Sequence, residues 1–138
     1  MAINASDSFF IKAKPVWAKG LETEKNITLG LYKKISCKGE NAVLKIAASG
    51  FYKVYLNGEF FYFGPARCAH GYYRVDEIKL PLKNGENHIA IETVNYYVNS
   101  FYALMQSGFI EAELTLDGAP AAFTDENGEN AFRLYRLC

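Results

Sequence analysis

The chain has 138 residues, of which 50% are hydrophobic and 15% aromatic, and its 15 basic and 15 acidic residues give a formal net charge of zero. This length and composition predict one folded domain, residues 1–138, that can bury a core without disulfides or metal. The balanced charge argues against a nucleic acid or an anionic membrane as partner, and no apolar run is long enough to span a bilayer.

The first part of the chain contains three segments with the residue pattern of β-strands. Residues 9–18 are rich in aromatic and aliphatic side chains, although Pro15 restricts this segment to an edge, a bulge or a strand end. Residues 26–37 carry aliphatic side chains at strand intervals. A polar turn at 38–41 separates them from residues 42–48, whose alternation predicts a strand with one buried face.

The centre of the chain is predicted to be a β-hairpin followed by further strands. Asn57-Gly58 lies between the strand-like residues 51–56 and 59–63, and both of its residues tolerate the positive φ that a tight hairpin turn requires. Gly64-Pro65 ends the second strand. The strands that follow are predicted at residues 72–77, 78–82 and 88–94, with a turn at 83–87.

Residues 109–117 show the clearest alternation of apolar and polar residues in the sequence. The aliphatic face is predicted to be buried, and Glu111 and Glu113 are predicted to lie on the solvated face. A last hairpin is predicted around the turn at 125–128, between Phe123-Thr124 and residues 131–137. The core residues predicted from these alternations are Tyr52, Val54, Leu56, Ile89, Ile91, Ile110, Leu114 and Leu116.

The distribution of these elements predicts the fold class. No segment shows a sustained helical period, and many short strands separated by turn signals are typical of an all-β sandwich or barrel. Three cysteines at wide spacing, Cys37, Cys68 and Cys138, do not form a disulfide framework, so free thiols are expected. Because Cys138 is the last residue, the chain is interpreted as a fragment of a longer protein.

Three segments in a fixed order resemble a known family. They are Tyr52-Lys53-Val54-Tyr55-Leu56-Asn57-Gly58, Gly64-Pro65-Ala66-Arg67 with His70-Gly71-Tyr72-Tyr73-Arg74-Val75-Asp76-Glu77, and Lys83-Asn84-Gly85-Glu86-Asn87-His88-Ile89-Ala90-Ile91. In this order they resemble the N-terminal β-sandwich domain of bacterial α-L-rhamnosidases and related glycosidases. Residues 95–102 extend the resemblance, which covers residues 42–116. The Gly-Pro-Ala-Arg segment distinguishes this group from other jelly rolls attached to glycosidases.

The resemblance implies a jelly-roll antiparallel β-sandwich of the galactose-binding-domain-like type. In that family the sandwich precedes a helical barrel that carries the catalytic carboxylates, and 138 residues are too few to encode such a barrel. The chain is therefore predicted to be a non-catalytic accessory module of a parent glycosidase. It would pack on the catalytic domain of the same parent chain and contact carbohydrate. The alternative function is an independent, lectin-like carbohydrate-binding module.

The compartment is predicted from the N-terminus. The first residues lack the basic start and the apolar segment of a signal peptide. The bacterial cytoplasm is therefore favoured, unless a signal has been removed.

Two aromatic and polar segments form the predicted site. Tyrosine rings stack on the C–H faces of sugars, while Arg, Asn and His bond to the hydroxyls. The same residue types suit a docking surface for the catalytic domain, and ordinary core tyrosines are a third interpretation. The two segments are expected to lie close together, because neighbouring elements usually stay adjacent. The site residues are Arg67, His70, Tyr72, Tyr73, Asn95, Tyr96, Tyr97, Asn99 and Tyr102.

No catalytic residue, metal site or cofactor is predicted. Glu111 and Glu113 are spaced as a glycosidase pair could be, but an exposed strand face is the interpretation adopted. Cys68 and His70 are too few to hold zinc, which needs about four ligands. No loop has the ligand pattern of a calcium site, although related jelly rolls often carry a structural calcium.

Overall fold

The computed structural model describes residues 2–4, 10–21, 26–64, 72–95, 108–126 and 128–137. These ranges contain strands, turns and irregular segments, and no helix in them has the length and apolar character of a membrane span. The strands are β1 (Ala2–Asn4), β2 (Ile27–Cys37), β3 (Ala42–Ala48), β4 (Phe51–Leu56), β5 (Glu59–Gly64), β6 (Tyr72–Arg74), β7 (Asp76–Leu80), β8 (Gly85–Asn95), β9 (Ile110–Leu116), β10 (Ala119–Phe123) and β11 (Arg133–Leu137).

Two antiparallel sheets form a β-sandwich, which confirms the predicted fold class. The strand order is β10-β9-β3-β7 in the four-stranded sheet and β11-β2-β8-β4-β5 in the five-stranded sheet, while β1 pairs with β6. Apolar side chains of both sheets meet in one core. Of the predicted core residues, Leu116 is half-buried against this core. The buried ones are Tyr52, Val54, Leu56, Ile89, Ile91, Ile110 and Leu114.

Tight turns join two pairs of neighbouring strands, at Asn57-Gly58 and at Asp117-Gly118. Asn57 and Gly58 connect β4 to β5 with φ values of 52° and 86°. Asp117 and Gly118 connect β9 to β10 with φ values of 49° and 84°. Positive φ at both central residues gives a turn whose twist matches that of the paired strands.

The predicted last hairpin is wrong. β10 pairs with β9 in the four-stranded sheet, whereas β11 pairs with β2 in the five-stranded sheet. The turn at 125–128 therefore lies on a connection between the two sheets. Residues 81–84 make a similar connection, since β7 pairs with β3 while β8 pairs with β2 and β4. Alternation identifies a strand and its buried face, but not the strand it pairs with.

The strand predicted at residues 9–18 is also wrong over the part that the structure describes. Residues 10–18 follow an irregular path along the four-stranded sheet, and Val16 makes an isolated antiparallel bridge with Ile110. Phe10 joins a second, small core with Ala47 of β3. The backbone N–H groups of residues 11–13 donate to a side-chain carboxylate, so they are not available for a strand ladder.

Gly64, at the end of β5, packs against a buried polar pair. The Tyr52 hydroxyl donates a hydrogen bond to Asp76 Oδ2, and the two residues are 1% and 4% exposed. A Cβ at position 64 would lie 2.8 Å from the Tyr52 hydroxyl oxygen and 2.9 Å from Asp76 Oδ2. The first two segments that carry the family resemblance therefore meet in one structural contact, through Tyr52 of the first and Gly64 and Asp76 of the second.

Candidate functional site

Most residues of the predicted aromatic site lie outside the described residues. Tyr72 and Tyr73 belong to β6, where their backbone partners are Asn4 and Ile3. Asn95 is the last residue of β8 and is 2% exposed. The proximity of the two segments stays a prediction. The site residues outside the described ranges are Arg67, His70, Tyr96, Tyr97, Asn99 and Tyr102.

The predicted solvated position of Glu113 is wrong. Glu113 is 0% exposed, because residues 10–13 lie over the outward side of β9. Its Oε1 accepts a hydrogen bond from the N–H of Ile11 at 3.0 Å, and its Oε2 accepts from Lys12 and, at 3.0 Å, from Ala13. A carboxylate held by three backbone donors is an anchor for the N-terminal segment. Its oxygens are not free for acid–base chemistry.

Glu111 lies beside this anchor and is half-buried. Burial removes water from its carboxyl group and the neighbouring Glu113 repels its negative charge, and together these raise the pKa of Glu111 to about 7. Two carboxyl groups in different environments are also typical of glycosidase active sites. Here the backbone donors of residues 11–13 occupy Glu113, so we assign this member of the pair a structural role.

The raised pKa of Glu111 predicts a pH-dependent effect of Glu111→Gln. Folding raises this pKa from 4.5 to about 7. The folded chain therefore holds the proton of Glu111 more tightly than the unfolded chain does. The contribution of the protonated carboxyl to stability is fully present below pH 4.5 and is lost as the pH rises through 7. At about pH 8 the substitution should raise the free energy of unfolding by about 1 kcal/mol, after allowance for solvent screening, and so raise the melting temperature. At about pH 5 it should change the melting temperature little. Equal shifts at both pH values would contradict this prediction.

A groove of about 230 Å³ is open on the outer face of the five-stranded sheet. Its floor contains Gly30 of β2 and Ala90 of β8, which lack side chains long enough to fill it. Tyrosine rings and a leucine form its sides, and Glu92 contributes a carboxylate. The residues that line it on this outer face are Gly30, Tyr32, Tyr55, Ala90, Glu92, Tyr135 and Leu137.

The strand register explains how the groove forms. One row across the sheet is Tyr135, Gly30, Glu92 and Lys53, and the next row is Arg133, Tyr32, Ala90 and Tyr55. The two small residues are therefore diagonal neighbours on adjacent strands, with a tyrosine beside each of them in its row. None of these residues belongs to the site predicted from the sequence. The sequence shows a small residue in each of β2 and β8, Gly30 and Ala90, but only the register between the two strands makes these residues neighbours.

Two of the tyrosines at the groove are held in place by neighbours. The Tyr32 hydroxyl hydrogen-bonds to His88 Nδ1, and His88 Nε2 lies 3.2 Å from Glu86 Oε1. With the imidazole proton on Nε2, directed at Glu86, His88 Nδ1 accepts from the tyrosine hydroxyl. Tyr55 packs edge-to-face with Phe60, with ring centroids 6.0 Å apart. These two walls of the groove are therefore ordered before any ligand arrives.

No protein-family model and no curated protein sequence matches the chain. The GH78 family rhamnosidase of Bacillus sp. GL1 is similar in structure, with 28% identity and a TM-score of 0.79 over 92% of this chain and 14% of that one. The α-L-rhamnosidase of Streptomyces avermitilis has 17% identity and a TM-score of 0.58, over 89% of this chain and 12% of that one. The α-L-rhamnosidase of Aspergillus terreus has 15% identity and a TM-score of 0.56, over 88% and 16%.

These similarities confirm the resemblance found in the sequence, and the chain has the fold of a rhamnosidase-like β-sandwich domain. At 17% and 15% identity, the similarity to the Streptomyces and Aspergillus enzymes shows the fold alone. The chain spans between 12% and 16% of the length of these three enzymes.

Proposed function

We propose that the chain is a non-catalytic accessory module of a longer glycoside hydrolase of the α-L-rhamnosidase type. The observation that carries this proposal is the Bacillus similarity, which covers 92% of this chain but only 14% of the rhamnosidase, at 28% identity. In this proposal the catalytic carboxylates belong to another part of the parent polypeptide. The engagement of Glu113 by backbone donors supports it, because one of the two neighbouring carboxylates on β9 is used to hold residues 11–13.

The proposal includes packing of this module on the catalytic domain of the same parent chain. Phe60 and Phe63, on the edge strand β5, are 59% and 53% exposed. The Phe63 ring stacks on Phe51 with centroids 5.9 Å apart. Exposed aromatic clusters of this kind are typical of protein–protein interfaces. The predicted segments around Arg67 and Tyr97 are candidates for the same interface.

Recovery of the native protein tests this proposal. An antibody against this chain should precipitate, from the organism that makes it, a polypeptide several times longer than 138 residues that hydrolyses an aryl α-L-rhamnoside. The isolated chain should show no hydrolysis above the rate in buffer. A native protein of 15.5 kDa, or a long one without glycosidase activity, would contradict the proposal. Hydrolysis by the isolated chain that is lost in Glu111→Gln would contradict it as well.

A second candidate is carbohydrate binding by the module itself, and the groove on the five-stranded sheet favours it. Tyrosine rings around a floor of Gly30 and Ala90, which have at most a methyl side chain, are suited to a sugar ring. This function is compatible with the first, because an accessory module can both dock on its parent enzyme and contact carbohydrate.

A further inference from the structure

We propose that the groove formed by Gly30, Ala90 and the tyrosines around them binds one pyranose ring of a neutral saccharide. The proposal rests on the proposed function, since it assigns the carbohydrate contact of an accessory module to one surface. No residue of that surface belongs to the two segments predicted from the sequence, around Arg67 and Tyr97.

The shape of the groove is the first argument. Gly30 and Ala90 leave a recess of about 230 Å³ between longer side chains, which is enough for one pyranose ring and part of a neighbouring ring. The recess does not result from a backbone requirement, because Gly30 does not have the positive φ that only glycine adopts readily. A Cβ at position 30 would meet the Leu137 side chain at 3.4 Å, an ordinary contact. A larger residue would therefore fit the strand but fill the groove.

The lining of the groove is the second argument. Tyr32, Tyr55 and Tyr135 provide aromatic rings, and Tyr135 is 47% exposed. The C–H face of a pyranose packs against such rings, and tyrosine hydroxyls at the edge of the stack can bond to sugar hydroxyls. A flat apolar ligand would use the rings alone. The polar groups in the same rows favour a ligand that also carries hydroxyls.

These polar groups are the third argument. Glu92 lines the groove between Gly30 and Lys53 in the first row, and its carboxylate oxygens can accept hydrogen bonds from two hydroxyl groups. Lys53 follows Glu92 in the first row and Arg133 precedes Tyr32 in the second; both are exposed and lie beside the groove without lining it. The charged side chains at and beside the groove are thus of both signs, without the concentration of positive charge that would favour an anionic ligand.

The fourth argument is that two walls are already ordered. The contact between Tyr32 and His88 and the packing of Tyr55 on Phe60 hold both rings without a ligand. Immobilising a free side chain on binding costs about 0.5–1.5 kcal/mol, so ordered walls favour binding of a small ligand.

Nuclear magnetic resonance titration of the ¹⁵N-labelled chain tests the groove, with methyl α-L-rhamnopyranoside and methyl α-D-glucopyranoside as probes. At least one probe should shift the amide signals of Gly30, Ala90 and Glu92 in a saturable manner. Gly30→Val should weaken this binding at least tenfold, because the added methyl groups fill the floor. Tyr135→Ser, which removes a half-exposed ring from the edge strand β11, should weaken it by a similar factor.

Leu134→Ser is the matched control, because Leu134 is exposed on the same strand as Tyr135 but does not line the groove. Its affinity should equal that of the wild type. The proposal is overturned if neither glycoside shifts the groove amides, or if Gly30→Val and Tyr135→Ser bind as the wild type does. Binding by the isolated chain that disappears in the long native polypeptide would indicate that another domain covers the groove, and would overturn it as well. The titration does not depend on the native length or on rhamnoside hydrolysis, so failure of the accessory-module proposal is detected separately.

Discussion

Gly50→Ala is expected to lower the free energy of unfolding by about 3 kcal/mol or more. A Cβ at position 50 would lie 1.8 Å from the carbonyl oxygen of Val94 and 3.0 Å from the Cα of Asn95. Both atoms belong to the backbone of β8, the central strand of the five-stranded sheet. A backbone in the middle of a sheet cannot move aside as the end of a flexible side chain can. The substitution must therefore open the turn between β3 and β4 or displace β4 from β8.

Gly30→Ala is the matched control for this prediction. Gly30 lies in the same sheet, but its added Cβ would meet only the Leu137 side chain, at 3.4–3.6 Å. Replacement of a strand glycine by alanine at a compatible position restricts the unfolded chain, so stability should be unchanged or slightly raised. Urea denaturation of both variants and the wild type measures the difference. A Gly50→Ala protein as stable as the wild type would show that the turn relaxes at no cost.

Glu113→Ala is expected to lower the free energy of unfolding by about 3 kcal/mol, because it leaves three backbone N–H groups without their acceptor in a partly buried place. The N–H groups are those of Ile11, Lys12 and Ala13. Without the carboxylate, residues 10–13 should leave the sheet and expose the small core around Phe10 and Ala47. Urea denaturation measures the stability, and hydrogen exchange at the amides of residues 11–13 measures the loss of the anchor.

Glu111→Ala controls for the removal of a carboxylate from the same strand. The N–H groups of residues 11–13 donate to Glu113 and not to Glu111. The burial of Glu111 is also unfavourable for its own charge. This variant should leave the exchange rates of those amides unchanged. Glu113→Gln should lie between the two, because its amide keeps one acceptor oxygen but turns an NH₂ group toward a donor. Equal exchange rates in the wild type and in Glu113→Ala would refute the anchor.

Local chemistry along the chain was sufficient to predict the fold class and most strands. Alternation in residues 42–48 and 109–117 identified β3 and β9, and Asn57-Gly58 identified the β4–β5 turn. These signals act between residues close in sequence. Side chains two residues apart share a face of a strand. Residues that tolerate positive φ favour a tight turn independently of the rest of the fold.

The sequence by itself thus determined most of the strands, the aliphatic faces that they bury and the resemblance to rhamnosidase domains. Outside the β4–β5 hairpin, tertiary structure alone decided which strands pair, and therefore that β10 and β11 lie in different sheets. It also decided that residues 10–13 cover Glu113, a polar position that alternation assigns to solvent. The groove has the same origin, because Gly30 and Ala90 are sixty residues apart in the chain and become neighbours only through the pairing of β2 with β8. Such contacts depend on how distant segments meet, and no residue pattern within a single strand contains that information.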